Sequence, residues 1–134
     1  MNEILEFLKA NPVQHLATVG LDGKAKCRPF MFATECNGKL WFCTSNQKDV
    51  YKELQTNPSM ELSVSAPDFS WCRISGDVTF ENNIEVKERC IENIPIVKHI
   101  YKIADNPMFE VFYISKGEAI IADFSGNPPL IFKL

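Results

Sequence analysis

The stretch CRPFMFATECNGKLWFCTSNQKDVYKELQTNP, running from Cys27 to Pro58, decides the fold. Its first half reads as strand, tight turn and strand. An Asn37-Gly38 pair between two apolar-rich segments supplies the positive-φ residues that a type I′ hairpin turn needs. The strand from Leu40 to Cys43 then runs into Thr44-Ser45-Asn46-Gln47. Thr44 and Gln47 have capping-box spacing, and Ser45 is a rival N-cap. A helix is predicted from there through Leu54. It stops near Asn57-Pro58, because proline disfavours helical geometry in the residue before it.

Two features of this stretch go beyond a structural hairpin. On an alternating strand, Arg28, Phe30 and Phe32 share a face, which sets a charge beside large apolar rings. Lys48 falls in the predicted first helical turn, where the macrodipole disfavours a cation. Free backbone N–H groups, the Thr and Ser hydroxyls, Lys48 and Arg28 could converge on one phosphate-sized anion. A solvated Lys48 offset by Asp49, with Arg28 reaching out of a barrel mouth, satisfies the same pattern. Pro29 cannot donate to a ladder, so its strand must be an edge, a bulge or a local opening. Backbone groups around Arg28 to Met31 would then be free for a ligand's polar edge, and a plain bulge fits equally well.

A length of 134 residues predicts one domain spanning positions 1–134 with a sizeable core. The hydrophobic share of 46% against 23% charged residues is that of a globular protein. Ten Phe point to a β-rich core, since aromatic side chains suit pleated surfaces. A formal net charge of −3, with no basic run carrying interleaved aromatics, argues against a nucleic-acid partner. No apolar run is long enough to span a bilayer and no secretory leader is recognisable, so a cytoplasmic protein with no membrane partner is expected. Cys27, Cys36, Cys43, Cys72 and Cys90 are odd in number and form no CxxC pair, which fits reduced thiols. Cys27, Cys43 and Cys72 are expected as small core residues of strands.

Around the central stretch, Asn2 to Ala10 reads as a helix with Asn2 as N-cap. Strands are predicted from His15 to Leu21 and from Lys24 to Ala33 about Asp22-Gly23, and again from Met60 to Ala66. Trp71 to Phe80 alternates clearly, with Trp71, Arg73, Ser75 and Asp77 on one face. Tryptophan mixed with charge suits a subunit interface or a ligand wall better than open solvent, and an exposed Trp–Arg stack is the alternative. Helices are expected over Ile84 to Asn93 and Val97 to Ile103, the first broken at Pro95. Two strands, Met108 to Ser115 and Glu118 to Phe124, join through Lys116-Gly117, and Leu130 to Leu134 forms a short apolar tail. No GxGxxG, Walker-type loop, HExxH or GxSxG is present, and no paired Cys/His set supports a metal site. A redox role would need a bound organic cofactor. No residue stands out as a general acid or base.

Four segments in order, RPFM (28–31), LWFCTSNQKDVYKELQTNP (40–58), WCRISGDV (71–78) and FEVFY (109–113), carry a family resemblance. The chain resembles the pyridoxamine 5'-phosphate oxidase-like family of FMN-binding split barrels over nearly its full length. It looks close to the small nitroimidazole-resistance-like and flavin-reductase-like members. The resemblance implies a β-dominated, six- to seven-stranded antiparallel split barrel with peripheral helices. It implies a homodimer that binds two FMN molecules at its interface. Arg28 and Lys48 would bind the FMN phosphate, helped by Ser45, Gln47 and the helix start. The segment Pro29-Phe30-Met31 and the strand end Cys43-Thr44 would face the flavin ring, with Trp71 and Arg73 on the strand approaching it. The implied activity is NADH- or NADPH-dependent reduction of a small acceptor through FMN. Rival readings are an FMN carrier or redox sensor, the same fold holding a deazaflavin or haem, and a barrel with no ligand. Two departures bear on substrate. The last segment, DFSGNPPLIFKL, lacks the arginine and histidine with which true pyridoxamine-phosphate oxidases clamp substrate. CTSNQK stands where the nitroimidazole-resistance subgroup carries a histidine followed by a Gly–Lys pair.

Overall fold

The computed structural model describes residues 1–134. In chain order the elements are α1 (Asn2–Ala10), β1 (Gln14–Val19), β2 (Ala25–Phe30), β3 (Thr34–Cys36), β4 (Lys39–Ser45) and α2 (Asp49–Thr56). They continue as β5 (Ser59–Ser65), β6 (Trp71–Phe80), α3 (Ile84–Asn93), α4 (Pro95–Tyr101), β7 (Phe109–Ala122) and β8 (Leu130–Lys133). Seven strands follow one another in the order β2-β1-β5-β6-β7-β4-β3, and short β8 pairs with β7 beside that path. Every pairing is antiparallel.

The two ends of that path are consecutive in sequence. Only Met31-Phe32-Ala33 separates β2 from β3, and four chain steps reach about 14 Å at most. The sheet must therefore curl until its edges nearly meet, which makes a barrel with a seam at Met31 to Ala33. Phe30 crosses that seam, with ring centroids 6.3 Å from Phe42 of β4 and 6.0 Å from Phe112 of β7. This is the β-dominated antiparallel split barrel with peripheral helices that the sequence led us to expect.

Alternation along β4 divides the interior in two. Leu40 and Phe42 point into the barrel with Leu16, Leu62, Ile74 and Phe112, plugged at one end by Ile4 and Leu8 of α1. Trp41 points the other way, into a second core with Val86, Cys90, Val97, Tyr101, Phe109 and Val111 beneath α3 and α4. No helix is long and apolar enough to cross a membrane.

Several sequence expectations are corrected. Asn37 and Gly38 do take φ of 54° and 77°, but the capping box after β4 does not form. Thr44 and Ser45 continue the strand by pairing with Glu110 and Phe109. Lys48 is then the N-cap of α2, in extended geometry and with no side-chain cap. At α1, Asn2 is already helical and Met1 holds the N-cap position. The two strands expected about Lys116-Gly117 are one, because β6 ladders along β7 from Phe112 to Ala122 and absorbs the irregularity between Asp77 and Val78. Cys72 is buried, whereas Cys27 is exposed on the outer side of β2. Pro29 stands on β2, the end strand of the path, where a residue without an N–H can be accommodated.

Candidate functional site

The barrel seam opens into a cleft of about 180 Å³. Pro29, Phe30 and Met31 form one side, Cys43, Thr44 and Lys48 the floor and one end, and Ile94, Ile96, Val97, Ile100 and Tyr101 the facing wall. The sequence dictates this local layout. Phe30 ends β2, Ser45 ends β4, and Pro95 starts α4 one residue after α3 so that it folds back over the opening. A larger groove of about 620 Å³ adjoins, sharing Met31 and Ile94 and extending past Leu8, Phe32 and Arg89.

Three properties set the cleft's chemistry. Thr44 is 2% exposed, and its Oγ1 is buried with no hydrogen-bond partner, a condition that costs about 1–3 kcal/mol. The first N–H groups of α2 have no intrahelical acceptors, and no side chain caps them. Lys48 is the only charged side chain lining the cleft. Together, the positive end of a helix, a cation and an orphaned hydroxyl make a place for an anion with an apolar body. The Cys43 thiol is held well above its usual range by its hydrogen bond to Cys90 and by burial. That same bond lowers the Cys90 thiol. Burial, with Cys43 nearby, pushes Tyr101 up to about 12.

The expected site residues divide into three groups. Pro29, Phe30, Met31, Cys43, Thr44 and Lys48 are brought together in the cleft. Ser45 and Gln47 shape the turn beside it: the Lys48 N–H donates to the Ser45 carbonyl at 3.1 Å, and the Gln47 N–H donates to Ser45 Oγ at 3.2 Å. Arg28 faces inward. Its Nη2 donates to Glu53 Oε1 at 2.6 Å and its Nη1 to Thr18 Oγ1 at 2.8 Å, while Thr18 Oγ1 itself donates to Glu53 at 2.8 Å. Trp71 and Arg73 stand elsewhere in the same chain, opposite Ala122 and Ile120 of β7, whereas β4 uses Phe109 to Tyr113 at the other end of that strand. Trp71 packs on Phe124 at 5.1 Å between ring centroids, and Arg73 lies 3.8 Å from Glu61.

The family model for pyridoxamine 5'-phosphate oxidase matches residues 1–119. The chain belongs to the pyridoxamine 5'-phosphate oxidase family. Among solved structures it is similar to a NimC/NimA family protein of Clostridium acetobutylicum, at 36% identity and a TM-score of 0.90, over 100% of this chain and 92% of that one. It shares its fold with a pyridoxamine 5'-phosphate oxidase-related, FMN-binding protein of Nostoc punctiforme, at 16% identity and a TM-score of 0.71 over 97% and 87% of the two chains. A heme-binding protein of Mycobacterium smegmatis also shares the fold, at 14% identity and a TM-score of 0.76 over 95% of this chain and 55% of that one. No curated protein matches at a significant level.

Sequence reasoning missed the isoleucine wall of this family member. Ile94, Ile96, Val97 and Ile100 come from a segment read only as a short helical piece after Pro95. PIVKHIY is apolar on more than one face, and that excess over what a surface helix needs was the available signal.

Proposed function

We propose that residues 1–134 act as one FMN-binding domain, and that two copies form a homodimer working as an FMN-dependent oxidoreductase. Electrons would pass from NADH or NADPH to a small-molecule acceptor. The observation that carries this reading is the orphaned Thr44 hydroxyl, which sits beside the uncapped start of α2 and Lys48 in an otherwise apolar cleft. FMN would supply hydride and one-electron chemistry. Lys48 and the α2 N–H groups hold its phosphate in this proposal, and the Thr44 hydroxyl meets a polar edge. The isoleucines of α4 exclude water from the ring. Arg28 acts one step behind the phosphate, by fixing α2 through Glu53. Trp71 and Arg73, distant from their own cleft, are proposed to approach the partner's. The FMN-binding relative from Nostoc supports the choice of cofactor.

The test is identification of the cofactor released from purified protein, followed by titration with FMN. FMN is expected to bind, and Lys48→Ala to weaken it about ten- to hundredfold, the loss of one charge-assisted hydrogen bond at roughly 1.5–3 kcal/mol. Release of haem or a deazaflavin alone, or no binding in excess FMN, would overturn the proposal. NADH or NADPH consumption with a panel of acceptors then separates an enzyme from an FMN carrier.

A further inference from the structure

The groove beside the cleft is the larger of the two, about 620 Å³ against about 180 Å³. It lies between the last turn of α1, the barrel seam with the start of β3, and the junction of α3 with α4. Sites for small organic molecules span about 300–1,000 Å³, so its size suits one. Leu8 and Phe32, both buried, and the half-buried Leu5 give it an apolar lining that belongs to the barrel core.

Its charged lining consists of Lys9, Glu35 and Arg89, and the acid is the one already engaged. Glu35 Oε2 accepts the Gly38 N–H at 2.9 Å, which ties the carboxylate to the hairpin turn. Arg89 is held from two sides. Its Nη1 donates to the Glu35 carbonyl at 3.2 Å and its Nη2 to Glu85 Oε1 at 3.1 Å, which leaves other donors of the guanidinium fork free. Lys9 takes part in no ion pair. Nor is Lys9 needed to cap α1, because Asn11 Nδ2 donates to the Phe7 carbonyl at 2.9 Å and Gln14 Nε2 to the Leu8 carbonyl at 3.0 Å. The groove thus combines an apolar lining with positive charge in excess.

We propose that this groove is a binding site for an organic anion, an apolar ring system bearing a carboxylate or a sulfonate. The rings bury against Leu5, Leu8 and Phe32, and the anionic group is drawn to Lys9 and to the free donors of Arg89. Met31 and Ile94 line both the groove and the cleft. Only these side chains part the two spaces, and Met31 is unbranched, adaptable and 37% exposed. An occupant of the groove therefore lies next to whatever the cleft holds. That this occupant is the electron acceptor rests on the function proposed above; the anion site itself does not. A sulfonated quinone in that role takes two electrons and two protons and becomes the hydroquinone. NADH supplies the electrons and one proton as a hydride, and water supplies the other proton.

Naphthoate and its neutral counterpart naphthylmethanol are titrated into the purified protein by calorimetry, and the methyl groups they touch are located by nuclear Overhauser effects. Naphthoate is expected to bind about tenfold more tightly than the alcohol, the worth of one charge-assisted hydrogen bond, with contacts to the methyls of Leu5, Leu8 and Met31. Lys9→Glu, at an exposed position, should weaken naphthoate about fivefold and leave the alcohol unchanged. Asn93→Trp, which fills the groove from another exposed position, should weaken both. Equal affinities for the two probes, contacts confined to Ile96 and Ile100, or no binding at millimolar naphthoate would overturn the site. Naphthoate binding by a protein that never binds FMN would sustain the site and refute the FMN reading alone. With NADH as reductant, the KM for naphthoquinone sulfonate should rise about fivefold in Lys9→Glu while that for menadione holds. No turnover of either quinone, or an unchanged KM for the sulfonate, would overturn the acceptor role.

Discussion

Thr44 is where packing and ligand demands conflict. Its hydroxyl satisfies nothing in the folded chain, so Thr44→Val, which keeps the shape and removes the unpaired oxygen, should stabilise the cofactor-free protein by about 1 kcal/mol. The same change should weaken FMN binding. Thermal melts without FMN and a titration with it test the two halves, and a destabilised apo-protein would show that the hydroxyl is already satisfied. Arg28 presents the opposite case. Glu53 is 6% exposed and takes its positive partner from Arg28, so Arg28→Met leaves a buried, unpaired carboxylate and should cost about 3–5 kcal/mol. Adding Glu53→Leu should recover most of that loss, as read by urea midpoints of the single and double variants. The sequence flagged Arg28 as a charge on an apolar face, but not its partner. Glu53 does share a helical face with Val50 and Leu54, yet a lone carboxylate there reads equally well as the edge of a solvated face until the fold sets β2 beside it.

At the scale of elements, the hairpin and the alternation of β6 were legible, and Pro29 narrowed β2 to an edge, a bulge or an opening, because each rests on a local rule about φ, period or a missing N–H. What was not legible depends on partners distant in sequence. Lys116-Gly117 looks like a turn locally, but Gly117 sits opposite Gly76 in the β6–β7 ladder, where two backbones come too close for a side chain. A Cβ on Gly117 would collide with the Ser75 carbonyl and the Gly76 Cα, and one on Gly76 with the Lys116 carbonyl. Both obstacles are backbone, so neither can swing aside. Gly117→Ala should therefore destabilise the protein by roughly 1–3 kcal/mol, the range for overpacking, and a neutral result would mean that the strand bends more freely than the ladder suggests. The start of α2 was misplaced for a related reason. Thr44 and Ser45 have good capping chemistry, but strand pairing with Glu110 and Phe109 claimed their backbone first.

At the scale of the whole molecule, α4 presents an apolar surface that the single chain does not use. Ile96 and Ile100 of α4 are 56% and 53% exposed, and Ile103 just beyond is 60% exposed. They continue outward from the wall of the cleft, and contiguous apolar patches of this kind mark interaction surfaces. The proposed homodimer gives this face an occupant, and it explains why Trp71 and Arg73 stand at the far end of β7 from their own cleft. Burying such side chains contributes about 25 cal/mol per Å² of apolar area removed from water, and a carboxylate placed among them would have to be desolvated instead. Ile96→Glu combined with Ile100→Glu should therefore convert the dimer to monomer. Both side chains are more than half exposed in the single chain, so the monomer should remain folded with an unchanged circular dichroism spectrum. FMN affinity should drop in parallel, because ligand binding and assembly are linked when one site needs two chains. Sedimentation with and without FMN reads both effects, and a variant that still sediments as a tight dimer would place the interface on another face of the barrel.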